Sequence, residues 1–172
     1  MKKIPVLLLL LIIIILIASI ITIYLYSIPV KVSSQPKYKQ TWNQSTLSNL
    51  QVNENVVGYI LTKLEANKLH NVPLTKNTPK IEIVIDDETF SAEVNSGKIN
   101  VKKGQIANAD IKIIMVRQDV INILNSSDQV KEIEKSINSG TMELEVIASR
   151  SELLSKGYLS LYEKFSGENL EI

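Results

Sequence analysis

The stretch Ile81-Glu82-Ile83-Val84-Ile85-Asp86-Asp87-Glu88-Thr89-Phe90-Ser91-Ala92-Glu93-Val94-Asn95-Ser96-Gly97-Lys98-Ile99-Asn100-Val101 decides the fold. Ile81, Ile83 and Ile85 alternate with more polar neighbours, and Asp86-Asp87-Glu88 makes a turn. Phe90, Ala92 and Val94 alternate next, Asn95-Ser96-Gly97 turns back, and Ile99 and Val101 form a third run. Successive side chains of a strand point to opposite faces, so each run presents one apolar side. Turns this short predict a meander of antiparallel hairpins. Downstream, residues 102–108 read as a loop, Ile111, Ile113 and Met115 as a fourth strand, and Met142, Leu144 and Val146 as a fifth. Glu143 and Glu145 face away from the apolar side of that fifth strand. Five such segments describe a sheet covered on one face.

The segments around the strands read as helices. Leu50, Val57, Ile60, Leu61 and Leu64 recur at helical spacing, predicting an amphipathic helix that starts after Leu47 and ends near Leu69. Residues 71–79, with two prolines, then break the chain. Between the fourth and fifth strands, Val120, Ile121 and Leu124 mark one helix. Ser126 with Gln129 reads as the capping box of another, which buries Val130, Ile133 and Ile137 and stops at Gly140. Ser149 with Glu152 opens the last helix, whose apolar stripe is Leu153, Leu154, Tyr158, Leu161, Tyr162 and Phe165, with Gly157 as a weak point. The expected architecture is α+β: a single five-stranded, largely antiparallel sheet with helices on one face, preceded by an N-terminal transmembrane helix.

That preceding helix is read from residues 6–23, an unbroken run of 18 whose only hydroxylated members are Ser19 and Thr22. Continued to Ile28, the run reaches the roughly 20 apolar residues that cross a bilayer core. It is longer than the apolar region of a signal peptide, and no Ala-x-Ala-like cleavage site follows it. Residues 1–28 are therefore expected to stay on the protein as a single-pass anchor. Lys2 and Lys3 lie closest to it, which orients the amino terminus inside and the remainder outside. Residues 29–46, rich in Ser, Gln, Asn and Thr and holding Pro29 and Pro36, form a linker, and residues 47–172 the folded domain.

Composition excludes several functions. The 19 Lys and Arg, less Lys2 and Lys3 of the anchor, stand against 18 acids, so the exterior has no basic excess for nucleic acid. The absence of cysteine excludes disulfides, thiolate metal sites and cysteine nucleophiles, and one histidine makes no imidazole relay. His70 reads as a solvated loop residue. Asp86-Asp87-Glu88 reads as turn chemistry rather than paired catalytic carboxylates or a cation site. Ser149 and Ser151 read as helix-start residues. Arg117 and Arg150 each follow a strand, where a solvated guanidinium outweighs an anionic-headgroup site. The expectation is no enzyme and no cofactor.

The order of elements resembles the sterol carrier protein 2 family of nonspecific lipid-binding domains. Two stretches carry the likeness: Asn108-Ala109-Asp110-Ile111-Lys112-Ile113-Ile114-Met115, followed at once by the 119–124 helical segment, and Ile137-Asn138-Ser139-Gly140-Thr141-Met142-Glu143-Leu144. The resemblance implies a tunnel for an apolar chain between the sheet and the last helix. In this chain it would be lined by Ile111, Ile113 and Met115 and roofed by Leu154, Tyr158 and Leu161; spacing by itself shows only that both faces are apolar. The function so implied is non-catalytic: a membrane-anchored domain that extracts or presents an acyl, isoprenoid or sterol-like lipid. Its partners would be the bilayer, the lipid and a membrane enzyme. The alternative is a membrane-tethered interaction module with a filled core and no ligand.

Overall fold

Two tight turns build the centre of the sheet from β1 (Lys80–Ile85), β2 (Glu88–Asn95) and β3 (Lys98–Lys103). Ser96 and Gly97 both take positive φ, 51° and 78°, the twist that a two-residue hairpin requires. Ile81 pairs with Ala92 and Ile83 with Phe90, and Ala92 in turn with Val101, so the expected antiparallel meander forms in a register that aligns the apolar positions. The computed structural model describes residues 50–73, 75–159, 161 and 162, together with Ile15 and Ile17. The expected linker and nearly all of the expected anchor lie outside the described residues. Among those described, no helix is long and apolar enough to cross a membrane.

β4 (Ile111–Met115) corrects the expected strand arrangement. It lies beside β1 and parallel to it, Ile81 opposite Ile111 and Ile85 opposite Met115. The sheet is therefore mixed rather than largely antiparallel, with the order β3-β2-β1-β4-β5. The link of residues 104–110 returns the chain to the start of β1 before β4 begins, and Gly104 and Asn108 take positive φ within it. Alternation assigns faces but carries no direction, so only the turn-linked strands were fixed by pattern. β5 (Met142–Val146) pairs antiparallel with β4 at the far edge.

The apolar face gathers Ile81, Ile83, Ile85, Phe90, Ala92, Val94, Ile111, Ile113, Met115 and Met142, all buried. Helix α1 (Glu54–Lys63) packs over β2 and β3. It is shorter than the periodicity predicts because Asn53 caps its start, its Oδ1 accepting from the N–H groups of Asn55 at 3.0 Å and Val56 at 3.1 Å. Glu65, with φ of 62°, ends the run before a 3-10 turn at Ala66–Lys68. Helix α2 (Arg117–Asn125) packs on α3 (Gln129–Asn138), which lies against β5. The cap of α3 is Asp128, whose Oδ1 accepts from Lys131 N at 3.1 Å; Ser126 instead closes α2. Asp119 ties these elements together. Its buried carboxylate accepts from Ser136 Oγ at 3.0 Å on α3 and from Thr141 Oγ1 at 2.9 Å ahead of β5.

Among the described residues every buried side chain of this core lies at Leu50 or beyond, so residues 45–172 are expected to fold alone. A mixed α/β circular dichroism spectrum and one cooperative urea transition are the expected readings; an unfolded spectrum would contradict them.

Candidate functional site

The last helix, α4 (Arg150–Lys156), starts at Ser149, whose Oγ accepts from Glu152 N at 3.4 Å. It ends at Gly157 with φ of 84°, a left-handed position that suits glycine. A Cβ at Gly157 would sit 3.2 Å from His70 Nε2, so a side chain there would have to displace the ring by a few tenths of an ångström. Beyond Gly157, Tyr158, Leu159, Leu161 and Tyr162 are helical again.

Directly below the turn is a polar cluster that the apolar pattern gave no reason to expect. Lys156, 1 % exposed, places Nζ 2.6 Å from Oδ1 of Asp110 and 2.9 Å from Oε1 of Glu152. Asp110 Oδ2 accepts from the backbone N–H of Lys80 at 2.7 Å and from the Tyr158 hydroxyl at 3.1 Å. The carbonyl of Asp110 accepts from Ile147 N at 3.0 Å and Ala148 N at 2.9 Å. One residue thus joins β1, β4, the end of β5 and α4. Hydrogen bonds from the Lys156 ammonium and then from the Asn77 amide hold the Glu152 carboxyl below its usual range. Burial first, and the Asp110 charge second, push the Tyr158 phenol well above its ordinary value. A raised acid keeps its proton in the folded state while the unfolded chain releases it, so stability is full below pH ~10 and falls as pH rises beyond it. Tyr158→Phe is expected to remove that share of the alkaline slope, read from urea midpoints between about pH 9 and 11.

Beside this cluster, between the β4–β5 edge and α4, lies a cavity of about 230 Å³. Ile111, Leu144 and Val146 form its floor, Leu153, Tyr158 and Leu161 its other walls, and the Arg150 side chain its one charged lining group among the described residues. With its hydroxyl fixed on Asp110, Tyr158 turns its ring toward this space. A second space of about 170 Å³, lined by Glu65, Lys68, Leu69 and Gly157, shares Leu161 with the first.

The structure brings Ile111, Tyr158 and Leu161 together here, and separates the other three residues assigned to the tunnel. Ile113 and Met115 lie further along β4, packed against Val57, Ile60 and Leu61 of α1 and Leu64 just after it, with no room left for even a water. Leu154 is 43 % exposed, while its neighbour Leu153 turns inward. The reason is Gly157: the helix stops there, so Leu154 and Tyr158 do not share one 3.6-residue periodicity. Leu144 and Val146 join the cavity through the register that sets them opposite Ile113 and Ile111.

No family model and no curated protein matches the chain. Among solved structures it is similar to the palmitated sterol carrier protein 2-like 2 of Aedes aegypti, at 17% identity, over 61% of this chain and 92% of that one, with a TM-score of 0.39. It is similar to a ubiquinone synthesis protein, UbiJ-SCP2, at 10% identity over 70% of this chain and 89% of that one, TM-score 0.35. A sec-alkylsulfatase from Pseudomonas sp. matches at 14% identity over 44% of this chain but 12% of its own length, TM-score 0.29.

The remaining candidates are occupied in structural roles. Arg117 donates to Asp86 Oδ2 at 3.4 Å, to Glu88 Oε1 at 3.2 Å and to the Leu50 carbonyl at 3.0 Å, which accounts for its guanidinium within the fold. Glu88 is also bonded by Lys103 at 2.6 Å, and that hydrogen bond holds its carboxyl below the usual range. His70 is half-buried rather than solvated: its N–H donates to the Lys156 carbonyl at 3.1 Å and its ring rests against Gly157. Ser149 caps α4, as its position before Glu152 implies. Among the described residues no group of three or more His, Cys, Asp or Glu is placed to hold a metal ion.

Proposed function

We propose that residues 47–172 bind one end of a single apolar chain, acyl or isoprenoid, in the cavity between the β4–β5 edge and α4, without catalysing a reaction on it. The observation that carries this reading is the cavity: about 230 Å³ with aliphatic and aromatic walls. It exceeds the roughly 150 Å³ apolar cavity that takes benzene, and falls below the roughly 300–1,000 Å³ of a pocket that encloses a whole ligand. That size suits a chain end better than a complete sterol. Each methylene withdrawn from water contributes about 0.8 kcal/mol, so six contribute about 5 kcal/mol before the cost of immobilising the chain. No directed polar contact is needed for such a ligand to stay. The proposal includes the anchor: residues 1–28 would hold the domain at one membrane, amino terminus inside, on a linker reaching at most roughly 60 Å. A domain so tethered lifts a lipid from its own membrane or presents it to a neighbouring membrane enzyme.

The alternative, a tethered interaction module with a filled core, draws support from the closely packed space beneath α1. Native mass spectrometry of the full-length protein, released from detergent micelles and offered a saturated fatty acid, distinguishes the two. One added chain per protein is the expected result. A bare protein mass under every loading condition would favour the filled module.

A further inference from the structure

The two outer strands of the sheet complement each other. β3 and β5 are its edges. Register places Lys98, Asn100 and Lys102 of β3 on the polar face, and Ile99 and Val101 on the apolar face. In β5, Glu143 and Glu145 share the polar face, and Met142, Leu144 and Val146 the apolar one. Lys98, Lys102, Glu143 and Glu145 are exposed, and none makes a salt bridge among the described residues. One edge is basic and the other acidic.

The backbone phase of each edge also matches. Gly104 N donates to Thr89 O at 2.8 Å, which fixes residues 98, 100 and 102 as those bonded to β2 and turns the N–H and C=O of Ile99 and Val101 outward. Ile147 N donates to Asp110 O at 3.0 Å, which turns Glu143 and Glu145 toward β4 and leaves those of Leu144 and Val146 outward. In both strands the outward backbone groups therefore belong to residues of the apolar face.

We infer that β5 of one copy pairs antiparallel with β3 of a second copy, joining chains head to tail. Leu144 then exchanges backbone hydrogen bonds with Val101 of the second copy, Val146 does so with Ile99, and Glu143 stands opposite Lys102. Pairing β5 with itself sets Glu143 against Glu145, and pairing β3 with itself sets Lys98 against Lys102; like charges directly opposite are unfavourable. Only the mixed pairing matches charge, apolar face and backbone phase together. Such an interface is heterologous, and sheet twist rotates each five-stranded copy by roughly 100–125° from the last, so the copies form an open row. The inference stands whether or not the cavity takes a lipid.

The absence of cysteine makes the test direct. Glu143→Cys and Lys102→Cys would occupy a non-hydrogen-bonded pair, with Cα atoms about 4.5 Å apart and within disulfide reach. Each protein then carries one cysteine, so every disulfide formed is between copies. The two full-length single-cysteine proteins, mixed in detergent micelles and oxidised, are expected to give the mixed disulfide several-fold above its statistical share. Adding Glu145→Lys to the first protein should lower that yield severalfold. Statistical yields, a preference for either like pair, or indifference to Glu145→Lys would overturn the inference.

Discussion

Asp110→Ala is expected to cost about 3–5 kcal/mol of unfolding free energy, the range for breaking a buried ion pair from one side. The substitution leaves the Lys156 ammonium inside the protein, 1 % exposed, with Glu152 as its one remaining counter-charge among the described residues. It also strands the Lys80 N–H, which donates to the lost carboxylate, and leaves the Tyr158 hydroxyl with the more distant Lys80 carbonyl at 3.4 Å. Urea midpoints measure the loss. Removing both charges should restore part of it, because a buried pair replaced by apolar groups of similar shape is often neutral. Asp110→Leu with Lys156→Met is therefore expected to be more stable than Asp110→Ala. A cost below about 1 kcal/mol for Asp110→Ala would mean that α4 is held to the sheet by its apolar contacts alone.

The second expectation sets two tryptophan substitutions against each other. Leu144 lines the cavity and Met115 lies in the filled region beneath α1. Leu144→Trp places the larger ring in open space, so it should leave the urea midpoint nearly unchanged while weakening apolar-chain binding by an order of magnitude or more. Met115→Trp has no space to enter and should cost about 1–3 kcal/mol through displaced side chains. Binding by the surviving folded fraction should persist, since Met115 does not touch the cavity. The reverse pattern, Leu144→Trp destabilising and Met115→Trp blocking the ligand, would place the ligand under α1.

Alternation made the meander legible because β1, β2 and β3 are joined by two-residue turns, which leave only one way to pair. β4 had the same signature and a seven-residue link, and nothing in its side chains records that it runs parallel to β1. Three of the six residues assigned to the tunnel line the cavity beside α4. Ile111, Tyr158 and Leu161 are apolar and meet there, whereas Leu154 was assigned on the assumption that one helical phase continues through Gly157. A left-handed residue resets that phase, and the glycine itself was the available signal. The Asp110–Lys156 pair was not legible at all. The two residues are 46 positions apart, no neighbour in sequence marks either as buried and paired, and only the packing of α4 on the β4 entry brings them together. Arg117 shows the converse: its position after β4 suggested a free cation, and the turn that carries Asp86 and Glu88 takes up its guanidinium.

The central claim, that the cavity beside α4 takes one end of an apolar chain, meets its most direct measurement in an equilibrium titration of the full-length protein. A single-chain fluorescent fatty acid is the probe, held below its own aggregation threshold, with Leu144→Trp as the matched control in identical micelles. The account predicts saturable binding at one site per chain in the wild type, displacement by an unlabelled acyl chain, and loss of both in Leu144→Trp. Equal, non-saturating uptake by the two proteins would contradict it, since the micelle and the apolar N-terminal run would then account for all the probe bound.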